Sequence, residues 1–196
     1  MLDDALDVSA DGSLYEQWAG TPTTVRLRYN GTTSAAEIDR RHREVERVLG
    51  DGTSLPDRAS ELADPVEADR EYEATMARVI AKIRNSDGHP LVVIESSNYG
   101  YARNLYGLKR LGLVIAAGTF AFSIGMGAAV SWQAEAAEAR PLVLPVIASL
   151  IALLLWPRVT PTFVRPNADA YADRVIEAAA NLPPASSETG DEFTGP

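Results

Sequence analysis

The residue types that carry metal and nucleophile chemistry are scarce in this chain. It has 196 residues, no Cys and only two His. His42 lies in an Arg-rich predicted helix and His89 in a predicted loop, and neither has the neighbouring ligands that a zinc site requires. The sequence therefore predicts no metal site, no thiol or disulfide chemistry and no bound cofactor.

Carboxylates and glycines provide no catalytic set either. Asp69 and Glu73 stand four residues apart beside Arg70, a spacing typical of paired surface charges on a helix. Gly125 and Gly127 lie inside an apolar run, whereas a phosphate loop needs a strand before it. No segment is basic enough to bind nucleic acid in a chain of net charge -9. We therefore expect a protein without catalytic residues that is not an enzyme and binds no nucleic acid.

Two long apolar runs determine the architecture. Residues 111–132 include no charged side chain, and as a helix they would span about 33 Å, enough to cross a bilayer core. Residues 141–156 would reach only about 24 Å, so a second crossing there needs local thinning, added residues or a kink at Pro145. Residues 133–140 are expected to form an external turn. The sequence thus predicts a two-helix transmembrane hairpin that contacts the lipid bilayer.

The cations that flank the two runs predict the orientation. Five lie on the terminal sides of the runs and one lies in the connecting turn: Arg103, Lys109, Arg110, Arg158 and Arg165 against Arg140. Cytoplasmic flanks carry the excess of Lys and Arg in membrane proteins. We therefore expect a multi-pass protein of the cell membrane with both termini in the cytoplasm.

Aromatic and basic residues alternate in the juxtamembrane segment, residues 97–110. Both types suit the headgroup layer, because each has an apolar stem and one polar end. Together with residues at the other ends of the runs, they form the predicted membrane-interface set: Tyr99, Tyr101, Arg103, Tyr106, Lys109, Arg110, Trp132, Trp156 and Arg158.

The same segment contains the sequence N-Y-G-x-x-R-N-L-x-G-L. It begins at Asn98-Tyr99-Gly100 and continues through Arg103-Asn104-Leu105 and Gly107-Leu108. This sequence resembles a juxtamembrane motif of uncharacterised prokaryotic two-span membrane proteins. The resemblance covers under a tenth of the chain, implies a membrane location and assigns no catalytic residue.

Residues 21–96 are predicted to form a cytoplasmic α+β domain, a small sheet covered by helices. Residues 24–29 alternate apolar and charged side chains as a half-buried strand does, and residues 90–95 are a short apolar run typical of a buried strand. The direction of pairing is left open. Between them, Ser34 and Asp64 are predicted to begin two helices. The second helix has an apolar seam that serves either as core or as a dimer contact: Tyr72, Met76, Val79 and Ile83.

The remaining segments flank this domain. Residues 157–182 are predicted to leave the membrane as an extended segment, with residues 159–164 on the sheet edge, and to end in a helix capped by Asn167. Residues 1–20 are acidic and residues 183–196 are polar, so both are expected to be largely disordered.

Small residues repeat every four positions along the first apolar run. They form a helix-packing face that allows two backbones to approach closely: Ala117, Ala121, Gly125 and Ala129. A weakly polar ridge lies beside it: Thr119, Ser123, Gly127 and Ser131. We expect the small-residue face to pack against the second run, with a weak homo-oligomer formed through adjacent surfaces.

These features favour a non-enzymatic integral membrane protein. Its cytoplasmic part would be an interaction or sensory module that holds an unknown protein partner at the bilayer. The alternative is a two-span effector that oligomerises and permeabilises the membrane, as two-span proteins of prokaryotic defence systems are thought to do.

Overall fold

The structure is a computed structural model that describes residues 14–50, 52–86, 88–133 and 141–185. All regular elements in these ranges are helical, and residues 14–18 are helical as well. The predicted external turn, apart from Gln133, lies outside the described residues. So do residues 1–13 of the acidic N-terminus and residues 186–196 of the polar tail.

The helices are numbered here in chain order. The first five are α1 (Pro22–Val25), α2 (Ala35–Leu49), α3 (Arg58–Ala63), α4 (Pro65–Arg84) and α5 (Pro90–Gly107). The later ones are α6 (Lys109–Gln133), α7 (Val143–Leu155), a 3-10 turn (Trp156–Arg158) and α8 (Pro161–Asn181).

Local capping signals correctly predicted where α2 and α4 begin. The Ser34 hydroxyl accepts a hydrogen bond from the Glu37 backbone N–H at 3.3 Å. The Asp64 carboxylate accepts one from the Glu67 N–H at 3.1 Å. At the C-terminal end of α2, Gly50 has a φ of 85°, a conformation that side chains with a Cβ rarely adopt.

The α+β prediction is wrong, because no strand occurs in the ranges that the structure describes. Residues 24–29 begin inside α1 and continue as a turn. The Thr21 side chain caps α1, and Pro22 occupies its first position. Thr24 and Leu27 are fully buried three residues apart, which is a helical rather than a strand spacing.

The second predicted strand is also helical, since residues 90–95 form the first turns of α5. The apolar run is not buried on two faces as an inner strand would be. Leu91, Val93 and Ile94 are each more than half exposed. A lone strand has no ladder partner for its backbone groups, whereas a helix of 18 residues satisfies them within itself.

The extended segment predicted after the second apolar run is helical from Pro161 onward. Pro161 occupies the first position of α8, and the Phe163 N–H bonds to the Thr160 carbonyl at 2.9 Å. Pro166 lies inside α8 and lacks the N–H that would bond to the preceding turn. The helix therefore begins earlier than the predicted cap at Asn167.

The described chain divides into two compact units. The hairpin unit comprises Leu14 and Tyr99–Pro166, and the helical unit comprises residues 15–98 and 167–185. The predicted seam on α4 lies in the core of the helical unit, where Tyr72, Met76 and Val79 are at most 1% exposed. It packs with Val45 and Val175, so the core interpretation of this seam is confirmed.

Candidate membrane-binding site

Helices α6 and α7 pack against each other within the hairpin unit. The buried positions of α6 are Gly112, Ala116 and Ser123, spaced at four and seven residues. On α7, Ser149 is 5% exposed, and its hydroxyl donates to the Val146 carbonyl at 3.1 Å. Small side chains therefore line the packed face, and this buried hydroxyl bonds within its own helix, as lipid surroundings require.

The closest approach in the hairpin lies between Gly112 and Trp156. A methyl group built on Gly112 would lie 2.5 Å from Cζ2 of the Trp156 ring and 2.7 Å from Cε2. Real Cβ atoms essentially never come this close to another atom. The hairpin therefore needs glycine at this position so that the indole can lie on the α6 backbone.

Lys109 connects the base of α6 to the end of α7. Its Nζ donates to the carbonyls of Pro157 at 3.1 Å and Val159 at 2.9 Å. Carbonyls at the end of a helix have no partner in the following turn, and a cation bound there also opposes the negative end of the helix dipole. Arg158 similarly donates to the Leu154 carbonyl. Lys109 thus joins the two arms of the hairpin, whereas the Arg158 bond lies within the end of α7 and the 3-10 turn.

The outward faces of the hairpin are apolar and exposed. Thirteen large apolar side chains on α6 and α7 are 42% exposed or more: Leu111, Val114, Ile115, Phe122, Ile124, Met126, Val143, Leu144, Ile147, Leu150, Ile151, Leu154 and Leu155. Within the described ranges, Lys109–Val130 is long and apolar enough to cross a membrane. A second crossing qualifies only if the bent pair Val143–Arg158 and Pro161–Asn181 is counted as one span.

The other predicted interface residues occupy different environments. Tyr101 is 67% exposed, whereas Tyr99 is only 7% exposed. The Arg103 guanidinium lies 5.9 Å from the centre of the Tyr99 ring, a distance at which the cation is attracted to the ring. Tyr106 is half-buried and Arg110 is exposed. Trp132 lies at the C-terminal end of α6.

The predicted small-residue face is exposed and is not part of the packed face of α6. Ala117, Ala121, Gly125 and Ala129 are all exposed, and a methyl group built on Gly125 would meet no atom within 4 Å. At 3.6 residues per turn, this face lies on the side of α6 roughly opposite to Gly112 and Ala116. The prediction that it packs against the second run is therefore wrong. Ser123, from the weakly polar ridge, is the predicted residue that the packed face contains.

Sequence reasoning missed Gly112 and the capping role of Lys109. The spacing from Gly112 to Ala116 was a usable signal, because it is itself a small-residue pair at four positions. Phe120 interrupts the repeat on that side of the helix, whereas the repeat from Ala117 to Ala129 is unbroken.

The helical unit has a cluster of titratable side chains around His42. His42 is 6% exposed, and its Nε2 lies 2.8 Å from the Leu27 carbonyl. The Tyr29 and Tyr72 rings both lie 5.5 Å from the His42 ring. Burial lowers the pKa of His42 below its usual value of 6.5. His42 is therefore a buried, hydrogen-bonded side chain and not a solvated one.

The two tyrosines of this cluster are bound to carboxylates. The Tyr29 hydroxyl donates to Asp39 at 2.5 Å, and the Tyr72 hydroxyl donates to Glu61 at 2.8 Å. Burial and then the Asp39 hydrogen bond raise the pKa of Tyr29 to about 12. Each group thus has a partner in the chain, as a structural network requires. No group of three or more metal-ligating side chains that could hold a metal ion occurs in the part of the chain that the structure describes.

No protein-family model, curated protein or solved structure matches this chain.

Proposed function

We propose that this chain is a non-enzymatic integral membrane protein. The α6–α7 hairpin inserts into the cell membrane, and the helical unit is a cytoplasmic interaction or sensory module held at the bilayer. Its partner would be an unidentified cytoplasmic protein. The observation that carries this proposal is the large apolar surface of the hairpin, which has no covering element among the described residues.

The energetic argument rests on the cost of leaving that surface in water. Fully burying a large aliphatic side chain contributes about 1.5–3 kcal/mol, so half-exposed ones each forgo about 1 kcal/mol. Thirteen such side chains then correspond to roughly the whole net stability of an ordinary domain, about 5–15 kcal/mol. Soluble monomers rarely expose apolar patches this large. A bilayer removes this surface from water.

The hairpin geometry is compatible with insertion from one side. The 25 residues of α6 span about 38 Å, whereas the 13 residues of α7 span only about 20 Å. The shorter helix requires the flanking 3-10 turn or a local thinning of the bilayer. Lys109 and Arg158 each bind a backbone carbonyl at the terminal end of the hairpin, which fits a cytoplasmic boundary.

Membrane insertion and orientation are tested together by cysteine labelling, because the chain has no cysteine of its own. Ala137→Cys lies in the predicted external turn and should react with an impermeant maleimide in intact cells. Arg58→Cys lies on the exposed surface of α3 and should react only after permeabilisation. The reverse pattern would overturn the orientation. Release of the protein by alkaline carbonate would overturn insertion itself.

One observation favours the alternative, an oligomerising effector that permeabilises the membrane. The small-residue face around Gly125 is exposed on α6 rather than covered by α7. Lipid gives helices no hydrophobic reason to associate, so close backbone contact through such a face is a recognised way for subunits to pair.

A matched pair of variants tests this alternative. Gly125→Leu should abolish crosslinked oligomers in native membranes and leave an inserted monomer. Thr119→Leu places the same side chain at an exposed position away from that face and should leave oligomers intact. Recovery of monomer alone from the unsubstituted protein would remove the effector from consideration.

A further inference from the structure

The helical unit has a cleft between the C-terminal end of α4, the N-terminal end of α5 and the middle of α8. Its volume is about 490 Å³, within the range of pockets that hold small organic ligands. One wall is apolar and includes Ile80, Ile83, Val92 and Tyr171. The cleft can therefore take an apolar group larger than a solvent molecule.

Among the described residues that line the cleft, the polar groups are basic or neutral. Arg84 and His89 line it together with serine hydroxyls such as that of Ser96, and no carboxylate is among its lining residues in the described part of the chain. The charge of Arg84 acts on Tyr171, where it opposes the rise in pKa that burial causes. The cleft thus presents a positive charge beside an apolar wall.

The opening of the cleft carries an apolar side chain as well. Val93, which lines the cleft at the start of α5, is 66% exposed. A fully polar anion such as free phosphate would leave Val93 and the apolar wall unused. The apolar lining and the charge together favour a ligand with both characters.

We propose that this cleft binds an amphipathic anion. Its carboxylate or phosphate group lies at Arg84 and His89, and its apolar body lies along Ile80, Ile83 and Val92. This inference supplies a ligand for the sensory module and rests on the proposed function for its biological role. Binding itself is measured separately from membrane insertion, so the two proposals can fail independently.

The test uses the full-length protein in phosphatidylcholine nanodiscs and hexyl phosphate as the probe. Calorimetric titration should show saturable binding, whereas inorganic phosphate and 1-hexanol should each bind at least about tenfold more weakly. Loss of one charge-assisted contact corresponds to about a tenfold loss of affinity. Arg84→Gln should therefore weaken hexyl phosphate binding by about tenfold or more.

Two further variants separate the site from general charge and from misfolding. Arg78→Gln removes a cation from the same helix but outside the cleft, and it should leave the affinity unchanged. Ser96→Phe fills the cleft without changing its charge and should also weaken binding. Equal effects of Arg84→Gln and Arg78→Gln, or equal affinity for 1-hexanol and hexyl phosphate, would overturn the proposal. An absence of saturable binding would do the same.

The ligand's source is distinguished by the lipid composition. If the cleft takes an anionic lipid from the bilayer, nanodiscs containing phosphatidylglycerol should compete and weaken the apparent affinity for hexyl phosphate. If it takes a soluble amphiphile, the affinity should be the same in both kinds of nanodisc. Gel filtration and circular dichroism of each variant verify that the protein remains folded.

Discussion

Replacement of Gly112 by alanine tests the packing of the membrane hairpin most directly. The added methyl group would lie 2.5 Å from the Trp156 ring, so either the indole or α7 must shift. Overpacking of this kind typically costs about 1–3 kcal/mol. Alanine in place of a helical glycine also contributes about 0.5–1 kcal/mol of stability through the backbone. Gly112→Ala should therefore lower the stability of the hairpin, unless the overpacking cost lies at the bottom of its range.

Gly125→Ala is the matched control, because it makes the same substitution on the same helix. A methyl group there meets no atom within 4 Å, so only the favourable backbone contribution remains. The two variants share that contribution, and the difference between them isolates the contact with Trp156. Their free energies of unfolding should differ by about 1–3 kcal/mol, with Gly112→Ala the less stable.

The assay is equilibrium unfolding of the full-length protein in mixed micelles, followed by circular dichroism. Tryptophan fluorescence in a Trp18→Phe, Trp132→Phe background reports the Trp156 ring alone. Its emission should change in Gly112→Ala and remain as in the parent in Gly125→Ala. Equal stabilities for the two variants, with unchanged Trp156 emission, would refute the packing of the indole on Gly112.

Three other predictions follow from the contacts described above. Burial lowers the pKa of His42 from 6.5, so the unfolded chain binds this proton at higher pH than the folded chain. The contribution of neutral His42 to the free energy of unfolding is therefore complete above about pH 6.5, and it is lost as the pH falls toward the lowered pKa. His42→Gln should flatten the pH dependence of this free energy in denaturant titrations at pH 7.5 and 5.5. Arg47 donates to the Ala180 and Leu182 carbonyls. Arg47→Ala should therefore lower the free energy of unfolding, measured with a chemical denaturant, by about 1–2 kcal/mol. Arg40→Ala removes only a surface ion pair, so an equal loss in that variant would contradict the role of the two carbonyl bonds. Lys109→Met should lower hairpin stability by about 1–2 kcal/mol in mixed micelles, and an unchanged midpoint would show that the two capped carbonyls are satisfied without it.

The sequence predicted best where a local interaction decides the outcome. The caps at Ser34 and Asp64 involve atoms three residues apart, so they are visible in a short window of sequence. The seam on α4 recurs over several turns, and a single stripe of large apolar residues has one favourable place, the core. These features do not depend on how the rest of the chain folds.

The sheet was predicted wrongly because a strand is not a local structure. Residues 24–29 alternate over only six positions, a window in which helical and strand periods are hard to distinguish. Thr21 and Pro22 are a helix-starting pair that outweighs this alternation. Residues 90–95 are rich in β-branched side chains, but the helix propensity of these residues is only a few tenths of a kcal/mol lower than that of good helix formers. The helix α5 continues to Gly107, and the stability of this long helix outweighs the small loss of propensity in its first turns.

The packed face of α6 could not be predicted from residue size alone, because the helix has small residues on two opposite sides. One side places Gly112 and Ala116 against the second helix, and the other exposes Ala121 and Gly125. The two sides differ in what lies opposite them. The large flat ring of Trp156 fits over Gly112. Near the same end of α6, Lys109 binds the chain that follows α7. Both contacts join residues about fifty positions apart in the chain. The face that remains exposed has the spacing that close helix contacts in membranes use, so it is the surface through which the proposed oligomer would form.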